Sequence, residues 1–233
     1  MLSVRGLNAY YGKSHILQGV DLDVAAGEVV SLLGRNGVGR STTIKAIMGE
    51  VSPIGTVRFK GQNIAGWPSY RIARLGLGYV PEHRDIFPSL TVRQNLALGQ
   101  KQAGIDGRWR LDDMLAMFPN LQRRADNAAG VLSGGEKQML TMCRTLMGDP
   151  ELIMIDEPTA GMSLEEARRT VALIRKISRG RTVVIIEHDM GVVFDLADTI
   201  SVLVYGQVIA TGPPAAIKAS LAVQDAYLGT VAA

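Results

Sequence analysis

Three short runs carry side chains whose types and spacing suit phosphate chemistry. The first is Gly34-Arg35-Asn36-Gly37-Val38-Gly39-Arg40-Ser41-Thr42. Glycines let a loop curl until successive backbone N–H groups face one anion, and a helix opening directly behind it adds its positive end. Ser41 offers a hydroxyl for a magnesium ion. The second run, Leu152-Ile153-Met154-Ile155-Asp156-Glu157, is an apolar strand ending in two carboxylates. At the C-terminal end of a parallel strand such carboxylates enter the crevice where ligands bind. Asp156 suits a metal shell, and Glu157 suits orienting or deprotonating an attacking water. Taken singly, these runs read as a Gly-rich turn and a strand capped by solvated acids. Taken together they point to a bound nucleotide phosphate.

The third run, Leu132-Ser133-Gly134-Gly135-Glu136-Lys137-Gln138, opens a helix. Ser133 with Glu136 three residues on forms a capping box. That local role does not require two adjacent glycines, and bare backbone at a helix start is also an anion site. One residue of the first run departs from the phosphate-loop pattern, which calls for lysine after the third glycine where this chain has Arg40. A planar guanidinium arranges its donors differently from an ammonium, so the exchange is not conservative. Phosphate binding is expected to survive it, and the hydrolysis rate is what it puts at stake.

Positioning these runs requires a particular set of elements. Alternation over residues 2–11 and 16–24 predicts two strands, and the apolar run 29–33 predicts a strand buried on both faces of a parallel sheet. The loop follows, opening a helix at about 41–48. Residues 56–60 read as an exposed strand and 77–80 as a buried one. From about 91 to 147 the periodicity is helical, with Val92, Leu96 and Leu98 on one face and Leu111, Met114, Leu115 and Phe118 on another. Strands return at 152–155 and 183–186 around a helix at 164–177, the pattern of parallel crossovers. Residues 201–211 read as a hairpin, followed by a short C-terminal helix. The fold class is α/β with a helical insertion at about 88–148 in a single domain.

The chain has 233 residues, 47% of them hydrophobic, enough for one substantial core. A formal charge of +3 supplies no basic stripe for nucleic acid, so none is expected as a partner. The single cysteine, Cys143, excludes an intramolecular disulfide framework. The first ten residues lack the apolar run of a signal peptide, and the apolar stretches are strand-length, well short of the roughly 20 residues that span a bilayer. A soluble subunit, reaching a membrane only through a partner, is expected.

Leu132-Ser133-Gly134-Gly135-Glu136 resembles the signature of ABC transporter ATPases, and the order of phosphate loop, signature and acidic strand end matches that family along essentially the whole chain. The resemblance implies a P-loop NTPase (RecA-like) core with an antiparallel β subdomain and a helical insertion, binding ATP with Mg2+. It implies head-to-tail pairing with a second ABC ATPase, a copy or a different subunit, so that Ser133, Gly134 and Gly135 act on the partner's nucleotide. Residue by residue, Tyr11 falls where an aromatic stacks on adenine. His188 falls on the switch histidine that meets the γ-phosphate and the attacking water. Glu82 replaces the usual glutamine that senses the metal and contacts the membrane subunit. Ser163 stands where many members have aspartate.

Within the family the chain resembles ATPase subunits of branched-chain amino-acid importers. The cues are the phosphate loop itself, Val80-Pro81-Glu82 followed by Ile86-Phe87-Pro88-Ser89-Leu90-Thr91-Val92, Gln138-Met139-Leu140 and Ala226-Tyr227-Leu228-Gly229. The short helical insertion and the expected absence of a C-terminal regulatory domain resemble the shorter of that system's two ATPases, whereas Glu187-His188-Asp189-Met190 and Thr159-Ala160-Gly161-Met162 lean toward the longer. The resemblance implies permease subunits, a periplasmic or extracellular solute-binding protein acting indirectly, and a place on the cytoplasmic face of the membrane. Two other readings stand beside it: a lipid-exporting ABC ATPase, and an ATP-binding module that hydrolyses weakly while its partner supplies the turnover.

Overall fold

The computed structural model describes residues 1–101 and 108–228, with the side chains of Tyr227 and Leu228 outside the description. Gly229, the last residue of the C-terminal cue, lies outside the described residues. The elements, in chain order, are β1 (Leu2–Tyr11), β2 (Ser14–Val24), β3 (Val29–Leu33), α1 (Arg40–Ile47), β4 (Pro53–Phe59), β5 (Gln62–Asn63), α2 (Ser69–Leu75) and β6 (Leu77–Val80). A helical stretch follows, with α3 (Val92–Ala97), α4 (Leu111–Met117), α5 (Pro119–Arg123) and α6 (Gly134–Met147). The chain then runs through β7 (Leu152–Asp156), α7 (Leu164–Ser178), β8 (Thr182–Ile186), α8 (Met190–Leu196), β9 (Thr199–Val204), β10 (Gln207–Gly212), α9 (Pro214–Ala219) and α10 (Leu221–Leu228).

Among the described residues the strands form two sheets. One is antiparallel, in the order β2-β1-β4-β5; the other runs β10-β9-β3-β8-β7-β6. In the second, β6 through β9 are all parallel to β3, with only β10 antiparallel at the edge. Successive residues of its central strands enter different cores. Val30, Leu32, Leu152, Met154, Val184 and Ile186 pack toward the antiparallel sheet and α1. Val29, Ile153, Ile155, Val183 and Ile185 pack toward the helices. Period-two side chains on a strand covered on both faces give this all-apolar text.

Several expectations need correction. Residues 56–60 are not simply exposed: β4 starts at Pro53, and Val57 and Phe59 are buried against the other sheet. Leu98 leaves the apolar face of Val92 and Leu96 and is exposed, because two residues beyond Leu96 it is turned about 200° around the helix axis. Helices α2 and α8 were not expected; each spans two turns and has one fully buried residue, Ile72 and Val193, too little periodicity to read. The C-terminus carries two short helices rather than one. The hairpin turn places Tyr205 and Gly206 both in left-handed backbone, as two-residue hairpin turns of the primed kind require.

Candidate functional site

The phosphate loop leaves the C-terminal end of β3 and runs directly into α1. Gly37 and Gly39 take φ values of 82° and 108°, which side chains rarely adopt. At Gly39 an added Cβ would also lie 2.7 Å from Leu17. The loop is tied from behind by Gly206, whose N–H donates to the Val38 carbonyl at 3.0 Å. Gly34 is packed against the Leu203 carbonyl, and Arg35 points to solvent.

The curl opens a cavity of about 460 Å³. Of the residues expected at the site, Tyr11, Asn36, Gly37, Gly39, Arg40, Ser41, Thr42, Glu82, Glu157 and His188 line it. Tyr11 stands half-exposed at the rim, while its neighbour Tyr10 stacks on His15. The Ser41 hydroxyl donates to Asp156 at 3.0 Å. Asp156 is buried, and its carboxyl is held above the usual range, first by desolvation and then by the nearby charges of Glu82 and Glu157. A buried carboxylate with raised proton affinity, a hydroxyl and a second carboxylate make an all-oxygen set. That donor chemistry fits a hard divalent cation such as magnesium.

Glu157 follows β7 in left-handed backbone, φ 47°, an uncommon state for a side-chain-bearing residue. Its N–H donates to the Ile186 carbonyl at the end of β8, which fixes the turn. The carboxylate is held on both sides. Oε1 lies 2.7 Å from Nη2 of Arg40, and Oε2 lies 2.5 Å from Nδ1 of His188. The bond to Glu157 raises the His188 pKa above its ordinary 6.5, against a lowering by burial. Arg40 uses its other donors inward, with Nη1 on the Glu187 carbonyl at 3.1 Å and Nη2 also on Asn36 Oδ1 at 3.0 Å.

Glu187 is a site residue that the sequence reading passed over. Its carboxylate is fully buried and accepts from Thr159 N at 3.0 Å, Thr159 Oγ1 at 2.5 Å and His188 N at 3.1 Å. It joins the chain after Glu157 to the chain that presents His188. Glu157, Glu187 and His188 lie close enough to suggest a cation cluster. Their facing atoms are instead used up on one another and on Thr159. The signal was present in the text: Glu187 ends an apolar strand just as Asp156 and Glu157 do.

Ser133, Gly134 and Gly135 do not line this cavity. Ser133 caps α6, accepting from Glu136 N at 3.2 Å while Glu136 accepts from Ser133 N at 2.9 Å. Both glycines are covered within the same chain. A Cβ at Gly134 would meet Nη1 of Arg84, and one at Gly135 would meet Oε1 of Glu166. Ser133 Oγ donates to that Glu166 oxygen at 3.3 Å, and Arg84 donates to the Ala160 carbonyl. Ser163, in the place of the usual aspartate, caps α7.

Residues 17–160 match the ABC transporter family model, and residues 207–233 match the model for branched-chain amino acid ATP-binding cassette transporters. The high-affinity branched-chain amino acid transport ATP-binding protein BraG of Pseudomonas aeruginosa is 37% identical over 98% of this chain and 100% of its own length. BraF of the same organism, carrying the same description, is 33% identical over 98% of each chain. Among solved structures, the dimeric post-hydrolysis state of an ATP-binding cassette bound to ADP and Pi superposes with a TM-score of 0.81. It has 25% identity over 92% of this chain and 99% of that one. The chain belongs to the ABC transporter family, as one of its ATP-binding cassette ATPases.

Proposed function

We propose that this chain hydrolyses ATP to drive uptake of branched-chain amino acids, or of related amino acids and amides. Ser41, Glu157 and His188 lining one cavity, with Asp156 bonded to the Ser41 hydroxyl beside it, carry the hydrolysis. The match of residues 207–233 to the branched-chain cassette model supports the solute. Backbone N–H groups of Gly37 to Thr42 cradle the phosphates, and Tyr11 faces the base. Ser41, Asp156 and Glu82 would hold Mg2+, which would neutralise phosphate charge. Glu157 takes the proton of the attacking water, and His188 orients both partners of that transfer.

The signature Ser133-Gly134-Gly135 serves the nucleotide of a second, head-to-tail cassette, since it lies off this chain's own cavity. No helix among the described residues is long and apolar enough to cross a membrane, so permease subunits supply the path. Exposed Tyr70, Phe87 and Leu98 line a groove of about 690 Å³ between α2 and the helical layer, which we assign to those subunits. A solute-binding protein would act through them, with the cassette on the cytoplasmic face. In the assembled transporter, Glu157→Gln is expected to keep ATP binding and to lose hydrolysis by about 100-fold or more. Unchanged turnover would remove Glu157 as the base.

A further inference from the structure

Arg40 holds one oxygen of Glu157 and His188 the other, so an attacking water must share an oxygen with one of them or displace it. The geometry points to Arg40 as a latch on the general base: nucleotide phosphates must draw its guanidinium off Glu157 before that carboxylate can act. The latch rests on the hydrolysis reading above and adds a reason for the arginine.

The pair is closed to solvent, with Arg40 and Glu157 side chains only 6% and 8% exposed. Water therefore screens their attraction little, and losing one partner strands a buried charge. Arg40 also ties three separate segments. Nη1 bonds the Glu187 carbonyl just past β8, and Nη2 bonds Asn36 of the loop and Glu157 beyond β7. A lysine ammonium is one compact point of charge and cannot span the same three acceptors from this position. Arg40 opens α1, whose N-terminal end favours an anion and carries no side-chain cap. Phosphate and Glu157 thus compete for one cation. Whatever free energy holds Arg40 on Glu157 is subtracted from nucleotide affinity, because a ligand shifts an equilibrium only by its preference for one state. Once the phosphates hold Arg40, Glu157 keeps His188 on Oε2 and presents Oε1 to the cavity.

A simpler role, arginine as a plain phosphate ligand in place of lysine, makes the opposite prediction. ADP binding to the full-length subunit, followed by calorimetry, separates them, because ADP engages the loop without turnover. Arg40→Lys is expected to bind ADP about threefold tighter or more, with a lower melting temperature in the nucleotide-free subunit. Glu157→Gln is expected to tighten ADP binding in the arginine background and to do less in the Arg40→Lys background, so that the two changes are not additive. Weaker or equal ADP binding by Arg40→Lys, or an additive cycle, overturns the latch. Failure of the unsubstituted subunit to bind ADP at all overturns the nucleotide-site reading, and the latch with it.

Discussion

His188 commits Nδ1 to a buried carboxylate while most of its ring stays in solvent. Glu157 and Glu187 both favour its protonated form, and Arg40 opposes it. Because the folded pKa is raised, the imidazolium contributes stability that is complete below pH 6.5 and is lost as pH rises through the folded value. Exposure of the ring keeps this contribution small. Thermal melts of the nucleotide-free subunit across this range should fall more steeply with rising pH for wild type than for His188→Gln. Parallel curves would mean that the contact carries no net stability. Cys143 lies at the other extreme: burial pushes its thiol up, so it is an inert piece of core rather than a nucleophile.

Helix α3 starts with a reciprocal cap between Thr91 and Gln94, and the segment before it is held by one buried amide. Asn95 accepts from Phe87 N at 2.9 Å and donates to the carbonyls of Phe87 and Thr91, each at 3.0 Å. It thereby fixes the turn that displays Phe87 beside the groove assigned to the permease. Asn95→Ala leaves the Phe87 N–H without its acceptor and empties a fully buried position, while the Phe87 and Thr91 carbonyls keep the backbone donors Leu90 N and Asn95 N. A destabilisation on the order of 2 kcal/mol or more is expected, read from the urea midpoint. An unchanged midpoint would show that solvent enters the turn. The same logic of caps applies at Ser133 and Ser163, each paired with a glutamate three residues on.

At the scale of the molecule, the nucleotide cavity and the signature are separate surfaces of one chain. Arg84 and Glu166 bridge the signature to the segment after Glu157. Glu157→Gln with ATP and magnesium should associate into dimers, detectable by light scattering, because bound ATP then persists between two chains. Adding Ser133→Arg should abolish that association by filling the space of the partner's phosphate. Dimers that survive Ser133→Arg would place the interface elsewhere.

The sequence by itself determined the phosphate loop, the acidic strand end, the signature and the central strands. Each is a local pattern: glycine spacing, apolar runs closed by carboxylates, and a cap followed by bare backbone. It also marked Arg40 as a departure without revealing its consequence. Only the tertiary structure decided that Arg40 meets Glu157, a residue 117 positions away, because that contact depends on β3, β7 and β8 lying side by side. The role of Glu187 was hidden for the same reason, since its partner Thr159 is reached through strand pairing rather than through sequence. Gly134 and Gly135 could be read as glycines shaped for an anion. The fold added that the side chains of Arg84 and Glu166 from the same chain reach over them, a neighbourhood no local pattern encodes.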